Sequence, residues 1–249
     1  MLLKNTELKK SRIDIRREKD FEEIQVIAIG LLEKNGFKQL KLEQIIDECI
    51  VSRVTFYKFV PSKEALYSIL AVRGLDIWLG YIERVDKFQG VTRVKMIGHF
   101  VAYYMLSKTH PVLFKCIFMH NNLPTASTVE QNLAITYRQK TDLIIAALNR
   151  TIELAIKNNE LELPEQLSPY ALAVSYWHGV CGVTSMELHN ENEAHVEKAL
   201  EYYRTYIRSI SDLLNWRPLS TELDYNPLME KIMKEIFPKE LKKLKLIRR

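Results

Sequence analysis

The chain has 249 residues, 47% of them hydrophobic and 27% charged, with 8 glycines and 8 prolines. That composition is ordinary for a soluble globular protein long enough to fold without disulfides, and it argues against a loop-rich β architecture. The formal charge of +5 is unevenly spread: residues 1–63 carry 13 Lys/Arg against 10 Asp/Glu, residues 64–230 carry 15 against 19, and residues 231–249 carry 8 against 2.

Apolar residues recur at three and four positions nearly everywhere, and no stretch keeps strand alternation, which predicts an all-α fold. A basic arm holding Lys4, Lys9, Lys10, Arg12, Arg16 and Arg17, diluted by Glu7, Asp14 and Glu18, precedes a first helix over about 18–34. Such an arm either reaches a DNA groove or serves as a solubilising tail. Gly36 follows in the position of a C-cap glycine. Short helices fit 42–49 and 53–59, and Ser62 caps a longer one.

Further on, Pro111 and Pro169 read as first-turn prolines, and Ser127 with Glu130 reads as a capping box opening a helix to about 158. Residues 158–168 form a connector. A helix over 169–188 follows, apolar nearly all round and rich in small residues. The next spans 192–216, with a stripe through Val196, Ala199/Leu200, Tyr203, Tyr206/Ile207, Ile210 and Leu213/Leu214. Pro218 stops it, Asn226-Pro227 opens a last amphipathic helix, and Pro238 ends that one before the basic tail KELKKLKLIRR. The tail admits a DNA-contact, a membrane-surface or a solvated-face reading, and the solvated face is the simplest. Residues 166–186 carry no formal charge, but Pro169, Gly179, Gly182 and several hydroxyls interrupt them, so no membrane span is expected.

Residues 36–66, GFKQLKLEQIIDECIVSRVTFYKFVPSKEAL, carry the most information. Two short helices joined by a tight turn, the second opening at Ser52, describe a helix-turn-helix with Ile45, Val51 and Phe56 as its core. Arg53, Thr55 and Lys58 would face outward, where such a helix meets the major groove of double-stranded DNA.

On these residues the chain resembles the TetR family of bacterial transcriptional regulators. Gly36-Phe37, Ile45, Val51-Ser52, Thr55-Phe56-Tyr57 and Ser62-Lys63-Glu64-Ala65-Leu66 match the family pattern in register. The rest of the chain matches in layout only. The resemblance implies phosphate contacts from Tyr57 and Lys63. Arg53 is the best base reader, because a guanidinium bonds guanine bidentately. Ser52, Thr55 and Lys58 join the DNA-facing set. Lys41 stands where the family usually has a capping Thr or Ser, Ile46 replaces a usual Ala, and Ile50 replaces the turn glycine. Lys41 therefore forfeits a cap worth roughly 0.5–2 kcal/mol but offers a cation to a phosphate. A β-branched Ile50 resists positive φ, so the turn is either strained or differently shaped.

The expected organisation is an arm and helix-turn-helix domain over 1–66, a helical effector-binding and dimerisation domain over 67–225, and a C-terminal helix with basic tail over 226–249. The two helices after residue 169 would pair with their copies into a four-helix homodimer interface. Phe100, Tyr103, Tyr104, Phe114, Phe118, Tyr137 and Trp177 are candidates to line a pocket for a small apolar or aromatic effector. The expected function is a ligand-responsive homodimeric regulator, in the sense of a repressor, binding a pseudo-palindromic operator. The alternative is a helical ligand or metal sensor whose degenerate helix-turn-helix no longer reads DNA.

Cys116 with His120, and His178 with Cys181, stand at helical spacing and together would make a Cys₂His₂ set, but two such coincidences are not rare and no metal or other cofactor is expected. No Gly-rich phosphate loop, nucleophile elbow or HExxH occurs, so no enzyme is expected. Three widely spaced cysteines without CxxC, and an N-terminus interrupted by Lys, Arg and Glu, predict a reducing, cytoplasmic setting.

Overall fold

In the computed structural model, the backbone is described for residues 11–120, 123, 127–189 and 193–247, and side chains for the same residues except 184–189, 193–200 and 245–247. The described residues form helices and no strand: α1 (Arg12–Gln39), α2 (Leu42–Glu48), α3 (Arg53–Phe59), α4 (Lys63–Asp86), α5 (Thr92–Thr109), α6 (Pro111–His120), α7 (Thr128–Lys157), α8 (Pro169–His189), α9 (Glu193–Leu213), α10 (Tyr225–Ile236) and α11 (Pro238–Ile247).

The local signals behave as their chemistry requires. Ser62 accepts from the Ala65 amide at 2.9 Å and opens α4. Ser127 and Glu130 cap each other's backbone at the start of α7. Pro111 and Pro169 each occupy a first helical position. α7 and α9 both end on an asparagine in the left-handed region, Asn159 at φ 58 and Asn215 at φ 52. Behind each, paired amides return to the last turn: Glu160 to the Ala155 carbonyl at 2.9 Å, and Trp216 to the Ser211 carbonyl at 2.9 Å.

Two expectations are corrected and two are refined. The first helix begins at Arg12 rather than about 18, because Ser11 and Asp14 form a capping box there. Arg12, Arg16 and Arg17 are thus exposed on helix, not in an arm; Lys4, Lys9 and Lys10 lie outside the described residues. At Gly36 the helical dihedrals break (φ 75, ψ 170), as a C-cap glycine requires, and a short helical stretch resumes to Gln39. The α9 stripe packs through Tyr203, Tyr206, Ile207, Ile210 and Leu214, with Leu213 82% exposed; Val196, Ala199 and Leu200 lie outside the described side chains. The basic tail, finally, is a docked helix. Leu241 and Leu244 of α11 pack on the core, Arg84 pairs with Glu240 at 2.8 Å, and Lys243 donates to the Thr109 carbonyl at 3.0 Å, neutralising the C-terminal end of α5.

α4 is the axis of the molecule and packs chiefly on α6 and α7. By length and composition alone it could cross a membrane, but its apolar residues are mostly buried in the bundle. A fully buried arginine ties the C-terminal part to α5. Arg93 donates to Tyr225 Oη (2.9 and 2.6 Å), to the Trp216 and Pro218 carbonyls (2.6 and 2.8 Å) and to Asp212 (2.6 Å).

Candidate functional site

α2 and α3 stand on a small shared core. Ile45 and Phe56 are fully buried, and Val51 is half-buried between them in sequence. Ser52 caps α3 by accepting from the Thr55 amide at 3.2 Å, and its hydroxyl also meets the Thr55 hydroxyl at 2.9 Å. Both hydroxyls are therefore engaged in holding the helix start. α2 opens at Lys41 with half a capping box. Gln44 Oε1 accepts from the Lys41 amide at 2.9 Å, while the Lys41 side chain, having no acceptor, leaves the reciprocal bond unmade and points its charge outward, exposed.

The turn is reshaped rather than strained. Among the described residues positive φ occurs only at Gly36, Asn159 and Asn215, so Ile50 does not adopt the conformation of the glycine it replaces. Its side chain is 91% exposed, and its amide donates to Glu23 Oε1 of α1 at 3.0 Å.

With Phe56 turned inward, α3 presents Arg53 and Lys58 outward, and the helix contains no acid. Arg53 lies 3.6 Å from Glu43 of α2 and 5.9 Å from the Tyr57 ring. Tyr57 itself donates to Glu43 at 3.5 Å. Thr55 and Tyr57 are half-buried. Lys63, in the first turn of α4, rests its ammonium over the Tyr67 ring at 5.7 Å. Two features escaped the reading of the sequence: Val54, 70% exposed beside Arg53, and Glu43, which gathers Arg53 and Tyr57. The first was legible, since Phe56 and Val60 already fill the buried side of the helix.

The seven pocket candidates do not converge on one cavity. Phe100, Tyr103 and Trp177 line a narrow cleft together with Trp78, His99, Ile144 and others; its free space is about 10 Å³, room for one water at most. Tyr137 lines a separate, open cleft with Trp177, and donates to the Ile117 carbonyl at 3.1 Å. Phe114 is buried between Tyr103 and Phe118, and Tyr104 is half-buried with Lys108 over its ring. Phe114 and Phe118 thus extend the aromatic core from Tyr103.

The Cys/His pairs have other occupations. His120 stacks on Tyr137 at 3.9 Å and meets the Ser68 hydroxyl at 3.1 Å, and burial lowers its pKa. His178 contacts the Val174 carbonyl at 2.9 Å. Burial pushes the Cys116 thiol far up and the Cys181 thiol to about 11, so both are protonated near neutral pH. Among the described residues no three His, Cys, Asp or Glu side chains gather as metal ligands.

No family model matches the chain, and no curated protein matches it in sequence. Solved structures do resemble it. TylP, a TetR regulator from Streptomyces fradiae, aligns at TM-score 0.59 with 16% identity, over 92% of this chain and 93% of that one. A regulatory protein of the TetR family from Rhodococcus RHA1 aligns at 0.52 with 16% identity, over 76% and 96%. GusR of Salmonella enterica aligns at 0.54 with 19% identity, over 79% and 95%. The chain therefore has the all-helical fold of the TetR-family regulators, with a helix-turn-helix at α2–α3 in front of a larger helical body.

Proposed function

We propose that this protein is a TetR-family transcriptional regulator, a homodimer that binds a pseudo-palindromic operator through α3 and releases it when a small molecule occupies the helical body. The observation that carries this reading is α3 itself: a capped helix seated on Phe56, with Arg53 and Lys58 directed to solvent and no acid in the helix. Arg53 reads base edges; Lys41, Tyr57, Lys58 and Lys63 meet phosphates, with Ser52 and Thr55 shaping the helix start. Residues 1–66 act as the DNA-binding unit, 67–225 as the effector and dimer unit, and 226–249 as a brace. The setting is the bacterial cytoplasm, the sense of regulation is repression, and no catalysis is involved.

The dimer is supported by α8 and α9. Ala171, Ser175, His178 and Gly182 leave a stripe of mostly small residues exposed on α8, and Tyr202 and Leu213 are exposed on α9. Two such pairs closing on a two-fold axis would bury them. Coupling is supported by α4, whose N-terminal end adjoins α3 and whose middle carries Trp78 of the aromatic cleft. Ser62 at its start donates to Glu130 at 2.6 Å, and Arg73 grips Glu22 of α1 at 2.7 Å. A ligand that favours one setting of α4 shifts the spacing of the two α3 helices.

The pairing of Glu43 with Arg53 and Tyr57 favours the second reading, a helix-turn-helix that no longer reads DNA. Both partners are more than half exposed, so that pairing is weak and phosphates can displace it. Selection from a random duplex pool decides between them. The regulator enriches a two-fold motif, and Arg53→Ala then loses about 1–3 kcal/mol at one base position of each half-site. A pool that stays random overturns the proposal.

A further inference from the structure

Resting on the effector reading above, we propose that the aromatic cleft between α4, α5, α7 and α8 takes a small neutral aromatic molecule bearing a hydroxyl group, held by Trp78 Nε1 and His99 Nδ1. Both residues line the cleft with Phe100, Tyr103, Ile144 and Trp177. Both are almost wholly buried, 4% and 2% exposed. Neither ring nitrogen has a hydrogen-bond partner among the described residues. Native proteins rarely keep two buried polar atoms unpaired in one place, and such atoms point to a guest that completes them.

The surrounding bonds decide which is donor and which acceptor. The Thr151 hydroxyl donates to the Ala147 carbonyl at 3.2 Å, so toward His99 it accepts. His99 Nε2, 3.2 Å away, must then carry the proton, and Asp86 at 3.4 Å agrees with that tautomer. Nδ1 is left as a bare acceptor, while the indole nitrogen of Trp78 is a donor only. A hydroxyl group can accept from Trp78 and donate to His99, the two bonds these atoms lack.

Charge is excluded on physical grounds. The residues lining the cleft are apolar or aromatic apart from the imidazole, and burial, with Arg150 and Lys95 nearby, lowers the His99 pKa to about 3, so the ring stays neutral. A carboxylate or ammonium would enter without a counter-charge. The present space admits no ring, so entry needs movement. Trp177 is the wall to move. It stacks on Trp78 at 4.9 Å, is half-buried, and also lines an open cleft of about 360 Å³ with Tyr137 and Thr141. Swinging its indole joins the two spaces.

The test titrates the full-length protein with phenol, toluene, benzoate and benzylamine, following tryptophan fluorescence and the melting temperature. Phenol is expected to bind saturably, toluene at least about tenfold more weakly, and the two ions not at all. Trp78→Phe keeps the ring and removes the donor; it should lower phenol affinity about tenfold and leave toluene unchanged. If that variant does not fold, His99→Leu carries the same expectation at the acceptor. No saturable phenol binding, or phenol and toluene bound alike, overturns the proposal, as does a crystal structure with phenol in which a single water bridges Trp78 and His99. None of these measurements involves DNA, so a failed operator selection leaves them intact, and a failed titration leaves the DNA-binding reading intact.

Discussion

Arg93 shows what a single residue contributes when its partners are far away in sequence. Its guanidinium is fully buried and its bonds reach residues 119 to 132 positions away. Burial alone would raise the Asp212 carboxyl, but hydrogen bonds from Ser220 and Arg93 outweigh it and hold the group below the usual carboxylate range. Arg93→Met removes the cation and leaves Asp212, Tyr225 and two carbonyls short of donors. It should cost roughly 3 kcal/mol, the low end for a broken buried pair because Asp212 is 31% exposed, as read by urea denaturation. Glu43 is the opposite case, an exposed acid beside the residues proposed to meet DNA. Glu43→Gln should strengthen operator binding by about 0.2–1 kcal/mol in a fluorescence-anisotropy titration. An unchanged affinity would mean that Arg53 and Tyr57 do not turn toward DNA.

Among the elements, α4 and α5 meet so closely that glycine is required at their crossing. A Cβ at Gly98 would lie 2.8 Å from Val85 Cγ1. Gly98→Ala should therefore destabilise the fold by about 1–3 kcal/mol, and adding Val85→Ala should recover part of the loss, since space rather than backbone freedom is at issue. α11 is the element whose role was least legible. Its composition reads as a charged tail, and only the positions of Arg84 and the Thr109 carbonyl turn Glu240 and Lys243 into anchors. Removing residues 238–249 should lower the melting temperature by several degrees while leaving the isolated fold of α1–α3 and DNA binding at low temperature intact.

For the whole molecule, three histidines set the acid limit. Burial lowers His99 to about 3 and His110 to about 4, and lowers His120 as well. Their unfolded counterparts take up protons near pH 6.5, which the folded protein refuses. Between those values the unfolded state binds more protons, so stability falls as the pH drops from about 6.5 toward 4. Asp86, raised by burial, opposes this trend only in part. The melting temperature should decline over that window, and His99→Asn should flatten the decline. At the same scale, sedimentation at micromolar concentration should give twice the 29.2 kDa chain mass, and Gly182→Arg on the exposed face of α8 should yield monomers that no longer hold a two-fold operator.

What could be read before folding was whatever depends on neighbours in the chain. Helix period, Ser and Pro at helix starts and the capping box at Ser127 are local, so their positions followed from spacing; the Val-Ser, Thr-Phe-Tyr and Ser-Lys-Glu anchors of the helix-turn-helix were read from the family resemblance. Of the candidate DNA-facing side chains, Arg53 and Lys58 are exposed on α3, while Lys41 and Lys63 stand outside it and Thr55 and Tyr57 are half-buried. The structure alone decided what depends on distant partners. It determined that Ile50 keeps out of positive φ with its amide donating to Glu23, that Arg93 is a buried tie and α11 a docked helix, and that three of the seven aromatic candidates share a cleft with Trp78 and His99. Neither residue stands out in the sequence. Only packing removes their ring nitrogens from water without supplying a partner, and that physical cost is what marks them as the place to look for a ligand.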